Sequence, residues 1–113
     1  RTTAAVSLTV DGDALAFVHR GGPTLRVAAL ERVVSVAGTP LAHQPPVPFF
    51  AATGFESGPT GPFNTAADAD WGAGKRASLR LAGTNEPEME PGSQVTVELY
   101  LDGQKLVELT ATA

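Results

Sequence analysis

A chain of 113 residues is one domain, long enough to bury roughly two-thirds of its unfolded surface without a covalent staple. A composition of 42% hydrophobic and 18% charged residues excludes wholesale disorder, and the absence of cysteine excludes disulfides and thiolate metal sites. Twelve acids against eight bases give a net charge of −4, with no basic cluster longer than Lys75-Arg76, so nucleic acid is not an expected partner. No apolar run approaches the length of a membrane span.

Val6, Leu8 and Val10 alternate up to Asp11-Gly12, and Leu15 and Phe17 follow. A two-residue turn at Asp11-Gly12 predicts a hairpin with Leu8 opposite Leu15 and Val6 opposite Phe17, apolar on one face. Arg20-Gly21-Gly22-Pro23 reads as a turn. Thr24 to Val27 reads as a short strand, Ala28 to Glu31 as a bend or one helical turn, and Arg32 to Val36 as a β-branched strand closed by Ala37-Gly38-Thr39-Pro40. Lys75 to Leu81 alternates with Ala77, Leu79 and Leu81 on one side, the pattern of a half-solvated antiparallel strand.

Gly83 to Gly92 is a turn region holding Glu86, Glu88 and Glu90, read as a solvated turn whose charges and prolines discourage edge pairing. Val95, Val97, Leu99 and Leu101 lead to Asp102-Gly103, and Val107, Leu109 and Ala111 return. A two-residue loop would set Val97 against Glu108; a longer loop or a bulge sets Leu99 against Val107 and Val97 against Leu109, and is the expected arrangement. About seven short strands with no convincing helix predict an all-β, antiparallel, immunoglobulin-like β-sandwich or partly closed barrel over residues 1–113, with the C-terminal hairpin central.

Between Thr39 and Arg76 lie Phe49, Phe50, Phe55, Phe63 and Trp71 among six of the nine prolines. No long element survives that punctuation, yet the aromatic content is too high for a solvated linker. The reading is a long loop, ordered over the core by its aromatics, with mobile tips near Ser57–Thr60 and Ala66–Asp70. The same five aromatics are the candidates for a subunit or ligand contact, since aromatic side chains dominate interface energetics.

No catalytic constellation emerges. His19 and His43 read as surface or turn-packing residues. Ser57-Gly58 lacks a nucleophile-elbow setting, and no glycine-rich phosphate loop precedes a helix. Asp11 with Asp13, and Asp68 with Asp70, are Asp-x-Asp pairs, but turn chemistry explains both better than calcium. Asn64 and Asn85 are not glycosylation acceptors. The expectation is a non-enzymatic protein with no cofactor and no metal.

HRGGPTL (19–25), LAHQPPVPFF (41–50), GPFN (61–64), DW (70–71), ASLRLAGTN (77–85) and PGSQVTVELYLDG (91–103) together resemble the soluble domain of archaeal, particularly haloarchaeal, type IV pilin-like proteins. The resemblance covers nearly the whole chain. It implies an extracellular subunit of a cell-surface filament, acting in filament assembly and adhesion, with other pilin subunits as partners. It also implies an N-terminal hydrophobic helix as the only membrane contact. That helix is missing from these residues, so Arg1 is expected to begin a truncated piece. The alternative is a cell-surface carbohydrate- or calcium-binding module using Trp71 and the Asp68/Asp70 pair; a third, a small hydrolase, would use His43.

Overall fold

The structure is a computed structural model that describes residues 4–46, 48–67 and 69–113. Nine strands appear among them: β1 (Ala5–Asp11), β2 (Ala14–Gly21), β3 (Leu25–Arg26), β4 (Leu30–Val36), β5 (Thr39–Pro40), β6 (Asp70–Trp71), β7 (Arg76–Arg80), β8 (Gln94–Leu101) and β9 (Gln104–Thr112). They form antiparallel sheets in the orders β1-β2-β7 and β5-β4-β8-β9, with β3-β6 as a small third sheet. The architecture is an all-β sandwich rather than a closed barrel. Single 3₁₀ turns occur at Val27–Ala29 and Gly61–Phe63, the first where the sequence allowed one helical turn.

The inward sets follow the alternation. Leu15 and Phe17 of β2, Ala77 and Leu79 of β7, Val34 and Val36 of β4, and Val95, Val97 and Leu99 of β8 are all buried. One register differs from expectation. β1 pairs with β2 through Asp11↔Ala14, Val10↔Leu15 and Leu8↔Phe17, two residues out of the predicted frame. The turn is therefore Gly12-Asp13, with Gly12 at φ +61 in the first central position, where a glycine suits a type II′ turn. A two-residue shift preserves the side-chain faces, so the same residues remain inside. Asp13 gains by it: its Oδ1 accepts a hydrogen bond from Arg80 Nε at 3.1 Å.

At the C-terminal hairpin Leu99 pairs with Val107, Val97 with Leu109 and Val95 with Ala111, the expected frame. The extra residue is absorbed by a bulge beside Leu99/Tyr100, which leaves Asp102 (φ +50) and Gly103 (φ +80) as a two-residue turn. β8 is central in its sheet, whereas β9 is an edge strand, so only half of that hairpin is as central as predicted.

The long loop is part of the sandwich. It covers the free edge of β7: the Glu56 N–H donates to the Arg80 carbonyl at 2.9 Å, and Thr60 and Ser78 exchange bonds of 2.9 and 3.4 Å. The Ser57–Thr60 tip is thus a hydrogen-bonded edge. Of the Ala66–Asp70 tip, Ala69 accepts a bond from Val27 N–H at 2.9 Å, while Asp68 lies outside the described residues.

Candidate functional site

Four tie points hold the loop. Gln44 places its side-chain amide where a neighbouring strand would lie: Oε1 accepts from Val34 N–H at 2.8 Å, and Nε2 donates to the Val34 and Leu41 carbonyls at 3.0 and 3.1 Å. Asn85 is buried and fully partnered. Its Oδ1 accepts from the His43 and Glu86 N–H groups at 3.2 and 3.0 Å, and its Nδ2 donates to the His43 and Gly54 carbonyls at 3.0 and 3.1 Å. Gly54 (φ +88) passes so close that a Cβ there would lie 2.7 Å from His43 Cβ. Asn64 binds the Pro59 carbonyl at 3.0 Å and accepts from Ala66 N–H at 2.9 Å, an Asx turn. Gly61 (φ +63) lies against β7, where a Cβ would be 2.3 Å from the Arg76 carbonyl oxygen.

The aromatic candidates divide sharply. Phe49, Phe55, Phe63 and Trp71 are buried, at 4, 5, 0 and 0% exposure, whereas Phe50 is 59% exposed. Phe63 stands edge-on to both Phe17 and Trp71, with centroids 5.5 and 5.4 Å away, and Phe49 packs beside Phe55. Trp71 Nε1 donates to the Lys75 carbonyl at 2.9 Å, so its polar handle is occupied as well. As contact residues these four are withdrawn, because a buried side chain offers a partner nothing to cover. Phe50 alone remains. Trp71 likewise cannot serve as a carbohydrate platform.

His19 is not a surface residue. It is fully buried, its Nε2 bonds the Pro23 carbonyl at 2.8 Å, and its ring meets Trp71 edge-on at 5.8 Å. Because Nε2 meets a carbonyl it donates there; Nδ1 has no hydrogen-bond partner among the described residues. His43 is exposed, and it is its backbone that Asn85 grips. Asp13 is paired with Arg80, and among the described residues no group of three or more His, Cys, Asp or Glu is placed to hold a metal ion.

Arg32 is the residue that sequence reasoning missed. It is 4% exposed, and Nε, NH1 and NH2 have no hydrogen-bond partner among the described residues. The guanidinium carbon sits 4.4 Å from the Phe63 ring centroid, a cation over an aromatic face. Burial away from water lowers its pKa from the ordinary guanidinium range to about 9, so it remains charged at neutral pH. Arg32 shares the inward frame of Leu30, Val34 and Val36, and a cation in an otherwise aliphatic alternation was a readable signal.

A cleft of about 710 Å³ lies beside the β4–β5 turn. Val36, Ala37, Pro40, Ala42 and Pro87 give it apolar walls, and Glu86, Glu88 and Glu90 line it as well. Glu88 also lines a second cleft, of about 300 Å³, with Gly12, Asp13 and Met89. Across the outer face of β8-β9, Glu98 and Glu108 stand directly opposite each other, and Lys105 Nζ relieves the repulsion by reaching both, at 3.3 and 2.9 Å. Glu108, then Glu98, hold the Lys105 pKa above its ordinary value.

Comparison with protein-family models, with curated proteins and with solved structures finds no match to this chain.

Proposed function

We propose that this chain is the outward β domain of a type IV pilin-like subunit, acting in an extracellular filament for assembly and surface adhesion. The observation that carries the reading is where the residues of the resemblance lie. Gln44 of LAHQPPVPFF, Gly61 and Asn64 of GPFN and Asn85 of ASLRLAGTN are the tie points of the long loop, and His19 of HRGGPTL packs on the buried Trp71. Internal ties of this kind support the reading of a domain that holds a fixed surface toward its neighbours. Phe50, at the end of the proline-rich run, is the one large apolar side chain exposed among the described residues, and it is where we place a subunit contact.

The test is to shear filaments from cells that make the native protein and to look for this chain in them by mass spectrometry and antibody labelling. Labelling spaced regularly along filaments is the expected result. Recovery of the chain only as free monomer would sink the proposal. Phe50→Ser should reduce filament yield while leaving the melting temperature of the domain within about 2 °C, because an exposed side chain contributes little to folding.

A further inference from the structure

β2 and β7 run antiparallel with Ala14 opposite Arg80 and Val18 opposite Arg76, so the charged residues beside them sort to two ends. At the Arg80 end lie the Gly12-Asp13 turn, whose Asp13 carbonyl accepts from Leu81 N–H at 2.9 Å, and the 82–93 segment with its three glutamates. Glu88 belongs to both clefts at this end, so the Asp13 turn and the apolar-walled groove form one continuous acidic surface. Arg80 is the base placed there, and it is already paired with Asp13.

At the other end, the Lys75 carbonyl accepts from His19 N–H at 3.1 Å, which brings Arg20, Lys75 and Arg76 together. All three are exposed, and none has an ion-paired carboxylate among the described residues; Arg20 Nε bonds only Ser7 Oγ, at 3.0 Å. Lys75 and Arg76 line a cleft of about 310 Å³ with Gly61, Pro62 and Asp70.

We propose that copies of this chain stack end to end, the Arg20/Lys75/Arg76 end of one seated in the Glu86/Glu88/Glu90 groove of the next. Three observations converge on a second copy as the occupant. The groove combines apolar walls with carboxylates, which suits the aliphatic stem and cationic head of lysine or arginine. Side chains of that type, with no ion-paired carboxylate among the described residues, stand at the opposite end of the same molecule. The two surfaces differ, so the contact is heterologous, leaves each end free for another copy and propagates rather than closing a dimer. The inference rests on the self-assembly reading above and gives that assembly a direction.

The experiment uses charge reversal at each end: Lys75→Glu with Arg76→Glu, and Glu88→Lys with Glu90→Lys. All four residues are exposed, and circular dichroism checks that each variant folds. The purified chain is followed by small-angle scattering and sedimentation at up to about 1 mM. Salt is stepped from ~0.05 M to ~1 M, where the screening length falls to roughly 3 Å. The native chain should associate weakly at low salt and dissociate at high salt. Each reversed variant alone should associate about tenfold more weakly or not at all, and their equimolar mixture should recover association as alternating copies.

A native chain that stays monomeric at low salt, or reversed variants that self-associate like the native chain, or a mixture no better than its parts, would each overturn the end contact. The filament assay separates this outcome from the broader reading. Filaments that contain the chain and tolerate both reversals remove the end contact but leave the subunit role. End-to-end association of a chain never found in filaments does the reverse.

Discussion

Replacing Arg32 with methionine should make the domain more stable, by about 3 kcal/mol. Burial that brings the Arg32 pKa down to about 9 corresponds, at ~1.4 kcal/mol per pH unit, to ~5 kcal/mol of unfavourable desolvation at neutral pH. A desolvated cation over an aromatic ring recovers roughly 2 kcal/mol, and the Phe63 ring is the partner in place. Methionine has a similar length, needs no hydrogen bond and fills irregular space, so the net cost of the charge should be removed. Urea titration of the two proteins measures it directly, and the melting temperature should rise by about 10 °C.

The pH dependence supplies a second, independent readout. The folded-state pKa is below the unfolded one, so above about 9 the unfolded chain binds more protons, and stability rises with pH from there until the unfolded guanidinium also titrates. Below about 9 the guanidinium is charged in both states and the full penalty is present. The advantage of Arg32→Met over the native protein should therefore be constant near neutrality and shrink as pH rises above 9. A loss of more than ~1 kcal/mol on substitution at pH 7 would refute the reasoning, because it would mean that the guanidinium has an ionic partner whose charge is then stranded.

Four further expectations concern the frame. Asn85→Ala strands the His43, Gly54 and Glu86 backbone groups it now satisfies, and should cost ~2–4 kcal/mol by chemical denaturation. Gly61→Ala places a methyl 2.3 Å from the Arg76 carbonyl oxygen at positive φ; it should cost ~2 kcal/mol or more and speed hydrogen exchange at the Thr60 and Ser78 amides. Ala37, at φ +50, should tolerate glycine with a gain of ~0.5–1 kcal/mol, since the left-handed region disfavours a Cβ. Leu99→Ala, at a fully buried position in the central strand β8, should cost ~2–5 kcal/mol, a large share of the ~5–15 kcal/mol a domain has.

Faces were easier to read than frames. The alternation along β1 and β2 placed Val6, Leu15 and Phe17 inside and Leu8 and Val10 on the same face, partly buried, even though the register lies two residues away, because a shift of two leaves every side chain on its side. The buried His19 and Ala16 it did not place. At β8-β9, by contrast, the need to keep Glu108 away from Val97 selected the bulged frame from the sequence alone. Aromatic content left Phe63 and Trp71 open to two readings, core anchor or exposed contact, and the structure has them buried. The tie points were not legible: Asn85 reaches His43 and Gly54 across 42 and 31 residues of sequence, and no local period encodes such a bond. Arg32 was visible as a cation in an inward frame, but recognising it required placing β4 from Leu30 rather than from Arg32 itself.

The same long-range closure explains how a proline-rich segment becomes a surface able to carry function. A loop this long gains little from its own backbone, and each ordered residue costs ~1–2 kcal/mol. Here the sheet edges need partners and the loop supplies them: Gln44 completes β4, residues 56–60 cover β7, and the Gly61–Phe63 turn brings a ring over Arg32. Edges of the sandwich that would otherwise offer strand pairing to any chain are closed on those sides. On the proposed subunit reading, that leaves side chains for recognition: the exposed Phe50 and the charged ends of β2 and β7. For an assembling subunit the distinction matters, since open edges pair without discrimination whereas an acidic groove with apolar walls accepts a basic end in one direction.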